Sequence, residues 1–77
     1  MNTLQRLELV FEDTFINDSY LFSIETTQED IEEWDSLNQV RLLMAIEQEF
    51  NIKFALDEME KLTGVAAITE IISNKLN

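Results

Sequence analysis

The chain has no cysteine, no histidine and no proline, and its single glycine is Gly64. Each absence closes a route. Without Cys or His there is no structural zinc site, no disulfide staple and no Cys-His or Ser-His-Asp nucleophile system. One glycine cannot make a phosphate-cradling loop. The acid-dense stretch Asp30, Glu32, Glu33 and Asp35 lacks the D-x-D-x-D-G spacing of a calcium loop, so no metal ligand is assigned. Long apolar runs are missing too. The longest, Leu42 to Ile46, is far too short to span a bilayer, and the segment from Met1 to Arg6 lacks the charged start and apolar core of a signal peptide. The expectation is a soluble, cytoplasmic chain with no membrane insertion, and the lack of Cys suits a reducing compartment. Bases are scarce as well: 5 against 16 acids, a net charge of -11. That balance repels nucleic acid and anionic membranes and favours basic partners.

What is present is enough for a core. At 77 residues and 45% hydrophobic composition, residues 1–77 are expected to form one domain stabilised by well-packed helices. The charge is unevenly spread. Residues 1–35 carry ten acids and one base, Arg6, whereas residues 36–77 carry six acids and four bases. Such a run is either a self-repelling solvated surface or a docking surface for a basic partner.

Leu4, Leu7, Val10, Phe11 and Phe15 recur at helical spacing, predicting a first helix capped by Asn2 or Thr3 and stopped near Asn17-Asp18. A long loop follows to Asp35, with Tyr20, Leu21, Phe22, Ile24, Ile31 and Trp34 as six apolar anchors that would pack it down. A second helix runs from about Ser36 to Phe50. Leu42, Leu43, Ile46 and Phe50 form one apolar face. Leu37, Val40 and Met44 lie nearly opposite, beside Asn38, Arg41, Ala45 and Gln48. Two apolar faces mean either a central helix or a face left for a partner. Leu56 to Leu62 has room for a turn or two of helix. Val65, Ile68, Ile71, Ile72 and Leu76 then predict a last helix that Thr63 caps. The fold class is all-α: a four-helix bundle with three main helices, one short helix and a long loop between helices 1 and 2.

Paired carboxylates acting as acid and base need a pocket that separates their pKa values, and four short helices offer none, so no catalytic residue is assigned. The one junction with chemical potential is Asp35-Ser36-Leu37. Asp and Ser are both preferred N-caps, and Ser36 to Gln39 fits an S-x-x-Q capping box, so Ser36 could be a cap and no more. If Asp35 takes the cap, the Ser36 hydroxyl is free, and a phosphate ester on it would sit at the positive end of the helix dipole.

The run from Asp30 to Ile52, with Asp35-Ser36-Leu37 at the helix start and Glu47-x-Glu49-Phe50 at its end, resembles the attachment region of acyl carrier proteins. The likeness continues through Asp57 to Thr63 and Val65 to Ile68. It implies a four-helix carrier, not an enzyme, in which Ser36 receives 4'-phosphopantetheine from coenzyme A through a separate phosphopantetheinyl transferase. Asp35 and Leu37 would complete the transferase's target. The arm's thiol would hold acyl groups as thioesters for acyl-loading and acyl-transferring enzymes, with the carrier working as a monomer. The resemblance also implies that Asn38, Val40, Arg41, Met44 and Gln48 meet partners. Many fatty-acid carriers show acids where this chain has Asn38, Arg41 and Gln48, a Pro where it has Ala55, and Gly-Ala before Asp-Ser-Leu where it has Trp34. These departures point to a specialised pathway, such as polyketide, peptide, saccharide-modifying or lipid-related chemistry. The competing expectation is an acidic helical adaptor in which Ser36 only caps a helix.

Overall fold

The first helix starts where Asn2 can satisfy free amides: its side chain accepts from Gln5 N–H at 2.8 Å, and Gln5 Oε1 accepts from Asn2 N–H at 3.0 Å. In the computed structural model, which describes residues 2–16 and 19–76, this helix is α1, Thr3–Thr14. It is followed by α2, Ser36–Phe50, α3, Leu56–Met59, and α4, Val65–Leu76, with one 3₁₀ turn, Gln28–Asp30, inside the long α1–α2 connection. The all-α, four-helix expectation holds among the described residues. The Asn17-Asp18 stop signal lies outside them, and α1 is already over at Thr14.

α1 packs on both α2 and α4. Its face of Leu7, Val10 and Phe11, with Phe15 just past its end, joins Leu42, Leu43, Ile46 and Phe50 of α2 and Val65, Ile68 and Ile72 of α4 in one buried cluster. Phe11 is the hub. Its ring lies 5.1 Å from Phe22, 5.3 Å from Trp34 and 5.7 Å from Phe15, tying the long loop to the helices through edge-on and tilted contacts. Each large side chain buried in this way contributes about 1.5–3 kcal/mol.

The loop is anchored by fewer apolar residues than the pattern suggested. Ile31 and Trp34 are buried, and Tyr20 and Phe22 pack against the core, but Leu21 and Ile24 face solvent. Part of their place is taken by a polar residue, Thr26, which is 3% exposed. Its hydroxyl donates to Leu21 C=O and accepts from Ser23 N–H, each at 2.9 Å, and its N–H donates to Ser23 C=O at 3.1 Å, so the buried hydroxyl is satisfied by the loop's own backbone. Thr26 C=O then accepts from Val65 N–H, Thr63 C=O accepts from Gln28 N–H, both at 2.8 Å, and Thr27 pairs antiparallel with Gly64. This bridge starts α4, and the expected Thr63 cap is not how the helix begins. Gly64 flanks it instead, and a Cβ there would meet Thr26 O at 3.4 Å, an ordinary contact, so the pairing does not itself demand glycine.

α2 ends at Asn51, in the left-handed conformation (φ 56°), which Asn adopts more readily than most residues. The conspicuous Glu47-x-Glu49-Phe50 ending has a structural use for each named residue. Glu47 accepts from Phe54 N–H at 2.9 Å, fixing the link to α3. Glu49 pairs with Arg6 at 2.9 Å, and the Arg6 guanidinium lies 4.3 Å above the Phe50 ring. The only base of the acidic first half is thereby committed to holding α1 on α2.

Candidate functional site

Asp35 caps α2. Its carboxylate accepts from Asn38 N–H at 2.9 Å and its C=O from Gln39 N–H at 2.8 Å. Ser36 is therefore the first helical residue, exposed, and its hydroxyl is not used to cap the helix. Nor does Gln39 complete a capping box with it. Of the two local readings, the geometry selects the Asp35 cap with a free Ser36 hydroxyl. Among the described residues no group accepts from the Ser36 or Leu37 N–H, and the first turn of α2 holds no acid. An anion on Ser36 Oγ would meet the positive end of a 15-residue helix.

The approach to Ser36 is held by side-chain bonds that the sequence pattern did not foresee. Gln28 Nε2 donates to Trp34 C=O at 2.9 Å, and Asp35 N–H donates to Glu33 C=O at 2.9 Å. The Trp34 indole, 3% exposed among Phe11 and Phe15, donates to Gln39 Oε1. Gln39 Nε2 in turn donates to Leu62 C=O at 2.9 Å and Met59 C=O at 3.3 Å. Asn38, expected at the partner face, is half-buried, and its amide is spent on Glu33 C=O at 2.7 Å. Gln39 could have been suspected from one signal alone: a long amide beside a tryptophan whose N–H needs an acceptor once buried.

The two-faced pattern of α2 resolves toward an open second face. Leu42, Leu43, Ile46 and Phe50 are buried, while Leu37, Val40 and Met44 are 67%, 55% and 56% exposed. Arg41 and Gln48 are exposed beside them. Leu56 of α3, 77% exposed, extends the patch. Between α2 and α3 lies an apolar cleft of about 290 Å³, walled by Val40, Leu43, Met44, Leu56 and Met59, with Ser36 among its lining residues. A free hydroxyl at a helix start, an apolar cleft next to it and an unpaired apolar helix face are thus contiguous.

Residues 22–72 match the family described as the phosphopantetheine attachment site. The chain belongs to the acyl carrier protein family. It is 34% identical over 68 residues to an acyl carrier protein of Buchnera aphidicola subsp. Acyrthosiphon pisum, covering 88% of this chain and 84% of that one. It is 46% identical over 43 residues to an acyl carrier protein of Cyanidium caldarium, covering 56% of this chain and 50% of that protein. The match to another, from Buchnera aphidicola subsp. Baizongia pistaciae, is 53% identical over 38 residues and spans 49% of each chain. The chain thus spans about half the length of these last two relatives. In three dimensions it resembles the solution structure of holo acyl carrier protein from Geobacter metallireducens, with a TM-score of 0.85 and 38% identity over 99% of this chain and 87% of that one.

The prosthetic group of the family is 4'-phosphopantetheine, and the geometry at α2 fits it: an exposed hydroxyl, two amides without a protein acceptor and a first helical turn free of acid. The departures from the commoner carrier pattern also acquire physical content. Trp34 is not a free substitution, because its indole is matched by Gln39. Ala55 keeps an N–H that proline would lack, and Glu58 Oε1 accepts it at 2.7 Å. That bond, followed by the Lys75 ammonium 3.0 Å away, holds the Glu58 carboxyl below its ordinary value. Among the described residues no helix is long and apolar enough to cross a membrane.

Proposed function

We propose that the chain is an acyl carrier whose attachment residue is Ser36. A phosphopantetheinyl transferase would join Ser36 Oγ to the phosphorus that bears the pantetheine arm of coenzyme A. The pyrophosphate P–O bond breaks, adenosine 3',5'-bisphosphate leaves, and the hydroxyl proton passes to the transferase. The thiol of the attached group supplies the thioester chemistry, which a chain without Cys cannot supply itself. The observation that carries the assignment is the division of labour at α2: Asp35 caps the helix, so Ser36 is free to be modified without loss of the cap.

The protein's own residues then orient and deliver. Asp35 and Leu37 flank the modified position, and Val40, Arg41, Met44 and Gln48 form the exposed face a partner enzyme would meet. Tethering raises the effective concentration of cargo at each docked active site. Arg41 and the neutral Gln48 make this face less acidic than the chain as a whole, which supports a dedicated role in polyketide, peptide, saccharide-modifying or lipid-related synthesis, in a reducing cytoplasm. The test is incubation of apo-protein with coenzyme A and a transferase of broad specificity, followed by intact mass measurement. A pantetheine-sized increment is expected on the wild type and none on Ser36→Ala. No increment on the wild type, or an equal one on Ser36→Ala, overturns the assignment.

A further inference from the structure

Away from α2, the loop that follows α1 displays apolar side chains that the core does not use. Tyr20 and Phe22 turn inward, their rings edge-on to Phe15 at 6.5 Å and to Phe11 at 5.1 Å. Leu21, between them, is turned outward by the same alternation and is 88% exposed. It is not left loose. Thr26 Oγ1 donates to Leu21 C=O at 2.9 Å, and both flanking rings are packed down, so the leucine is held in place with its side chain in water. Beside it lies a hollow of about 330 Å³ between α1 and the loop, with Phe15, the exposed Ile16, Tyr20 and Leu21 among its apolar walls and Glu8 and Glu12 as its charged ones. A second hollow shares Tyr20 and Leu21 and adds Glu25 and Asp30. None of these residues belongs to α2 or lines the cleft at Ser36.

We propose that this surface is a second docking site, taken by an amphipathic helix of a partner protein that carries lysine or arginine one turn apart beside an apolar side chain. Charge selects the occupant. Glu8, Glu12, Glu25 and Asp30 rim the two hollows, and no base lines either. Among the described residues Glu8 and Glu12 form no ion pair, and Arg6, the one base of residues 1–35, is engaged by Glu49. Glu8 and Glu12 stand four positions apart on α1, so they lie along one side of the helix with a rise of about 6 Å between them. Bases at the same interval on a facing helix meet both carboxylates, while the apolar side chain beside them enters the hollow and Leu21 packs on the partner. An isologous contact with a second copy would instead set these acids against themselves, and nucleic acid or an anionic membrane would be repelled. Because the surface shares no residue with α2, a partner bound here leaves Ser36 and the open α2 face to a second enzyme. One protein then holds the carrier while another acts on its cargo.

The experiment titrates the isotope-labelled full chain with a synthetic helical peptide that presents lysines four positions apart beside a row of leucines, and follows amide shifts by NMR at low salt. Shifts are expected at residues 8–16 and 20–25 and not along α2. A peptide of the same composition with its lysines scattered around the helix should bind more weakly. Leu21→Ser removes the apolar side chain but keeps the carbonyl that Thr26 holds, and should weaken binding about tenfold or more. Glu8→Gln with Glu12→Gln should weaken it about fivefold. Glu60→Gln with Glu70→Gln removes the same charge from exposed positions elsewhere and should weaken it less than about twofold. Circular dichroism checks that each variant is folded. No binding by the wild type, the largest shifts on α2, equal weakening by the two glutamine pairs, or no effect of Leu21→Ser overturns the site. Shifts at the same residues that grow with protein concentration without peptide overturn the partner in favour of self-association. The inference does not rest on Ser36: Ser36→Ala should bind the peptide as the wild type does, and cofactor loading is read separately by mass.

Discussion

Replacing Asp35 and Ser36 separately by alanine in the unmodified protein separates a helix cap from an attachment residue. Asp35→Ala removes the carboxylate bond to Asn38 N–H, a change that costs about 0.5–2 kcal/mol at an N-cap. It also removes a negative charge from the positive end of a 15-residue helix, about 0.3–1 kcal/mol more at an exposed site. A combined loss near 1.5 kcal/mol converts to a fall in thermal midpoint of about 6–12 °C for a domain of this size. Ser36→Ala removes no cap bond, and alanine is the better helix former, so its midpoint should stay within about 2 °C of wild type. Thermal melts by circular dichroism on apo-protein measure both. If Ser36→Ala falls as far as Asp35→Ala, Ser36 is itself holding the helix start, and the free-hydroxyl basis of the attachment site fails.

Three other outcomes are expected. Arg6→Ala should destabilise by roughly 1 kcal/mol and more than Glu49→Ala does, because Arg6 loses an exposed ion pair, its bond to Glu49 C=O and its contact with the Phe50 ring; equal losses in urea titrations would discount both the carbonyl bond and the ring contact. Glu58, with its carboxyl held down first by Ala55 N–H and then by Lys75, contributes stability that is full above the ordinary glutamate range and is lost as pH falls through its depressed folded value. Ala55→Pro suits the local φ of -76° but deletes the N–H, so NMR titration should show the Glu58 pKa rising toward its ordinary value, and an unmoved pKa would contradict the stated cause. Arg41→Glu should strengthen docking to carrier-dependent enzymes with basic surfaces at low salt; unchanged binding would remove Arg41 from the partner face.

The start of α1 at Asn2 or Thr3, the span of α2 and the membership of its two apolar faces were legible in the sequence because they depend on local chemistry: a polar residue ahead of an apolar period, and 3.6-residue spacing of Leu42, Leu43, Ile46 and Phe50. The long loop was legible only in part. Periodicity could not rank six apolar residues with no common face, so Leu21 and Ile24 were indistinguishable from Ile31 and Trp34, and a buried Thr26 carried no apolar signal at all.

Composition by itself determined that this is a small acidic helical domain whose thiol, if it uses one, must come from a cofactor, since Cys is absent. The Asp35-Ser36-Leu37 junction determined where such a cofactor would go, subject to which residue took the cap. Only the tertiary structure decided that Asp35 takes it, that the Leu37, Val40 and Met44 face is left open, and that Gln39 spans from Trp34 to the carbonyls of Met59 and Leu62. The physical reason is range. Helix caps and hydrophobic periods are set by residues within about one turn of each other, whereas the Gln39 bridge joins groups up to 23 positions apart and exists only in the packed bundle.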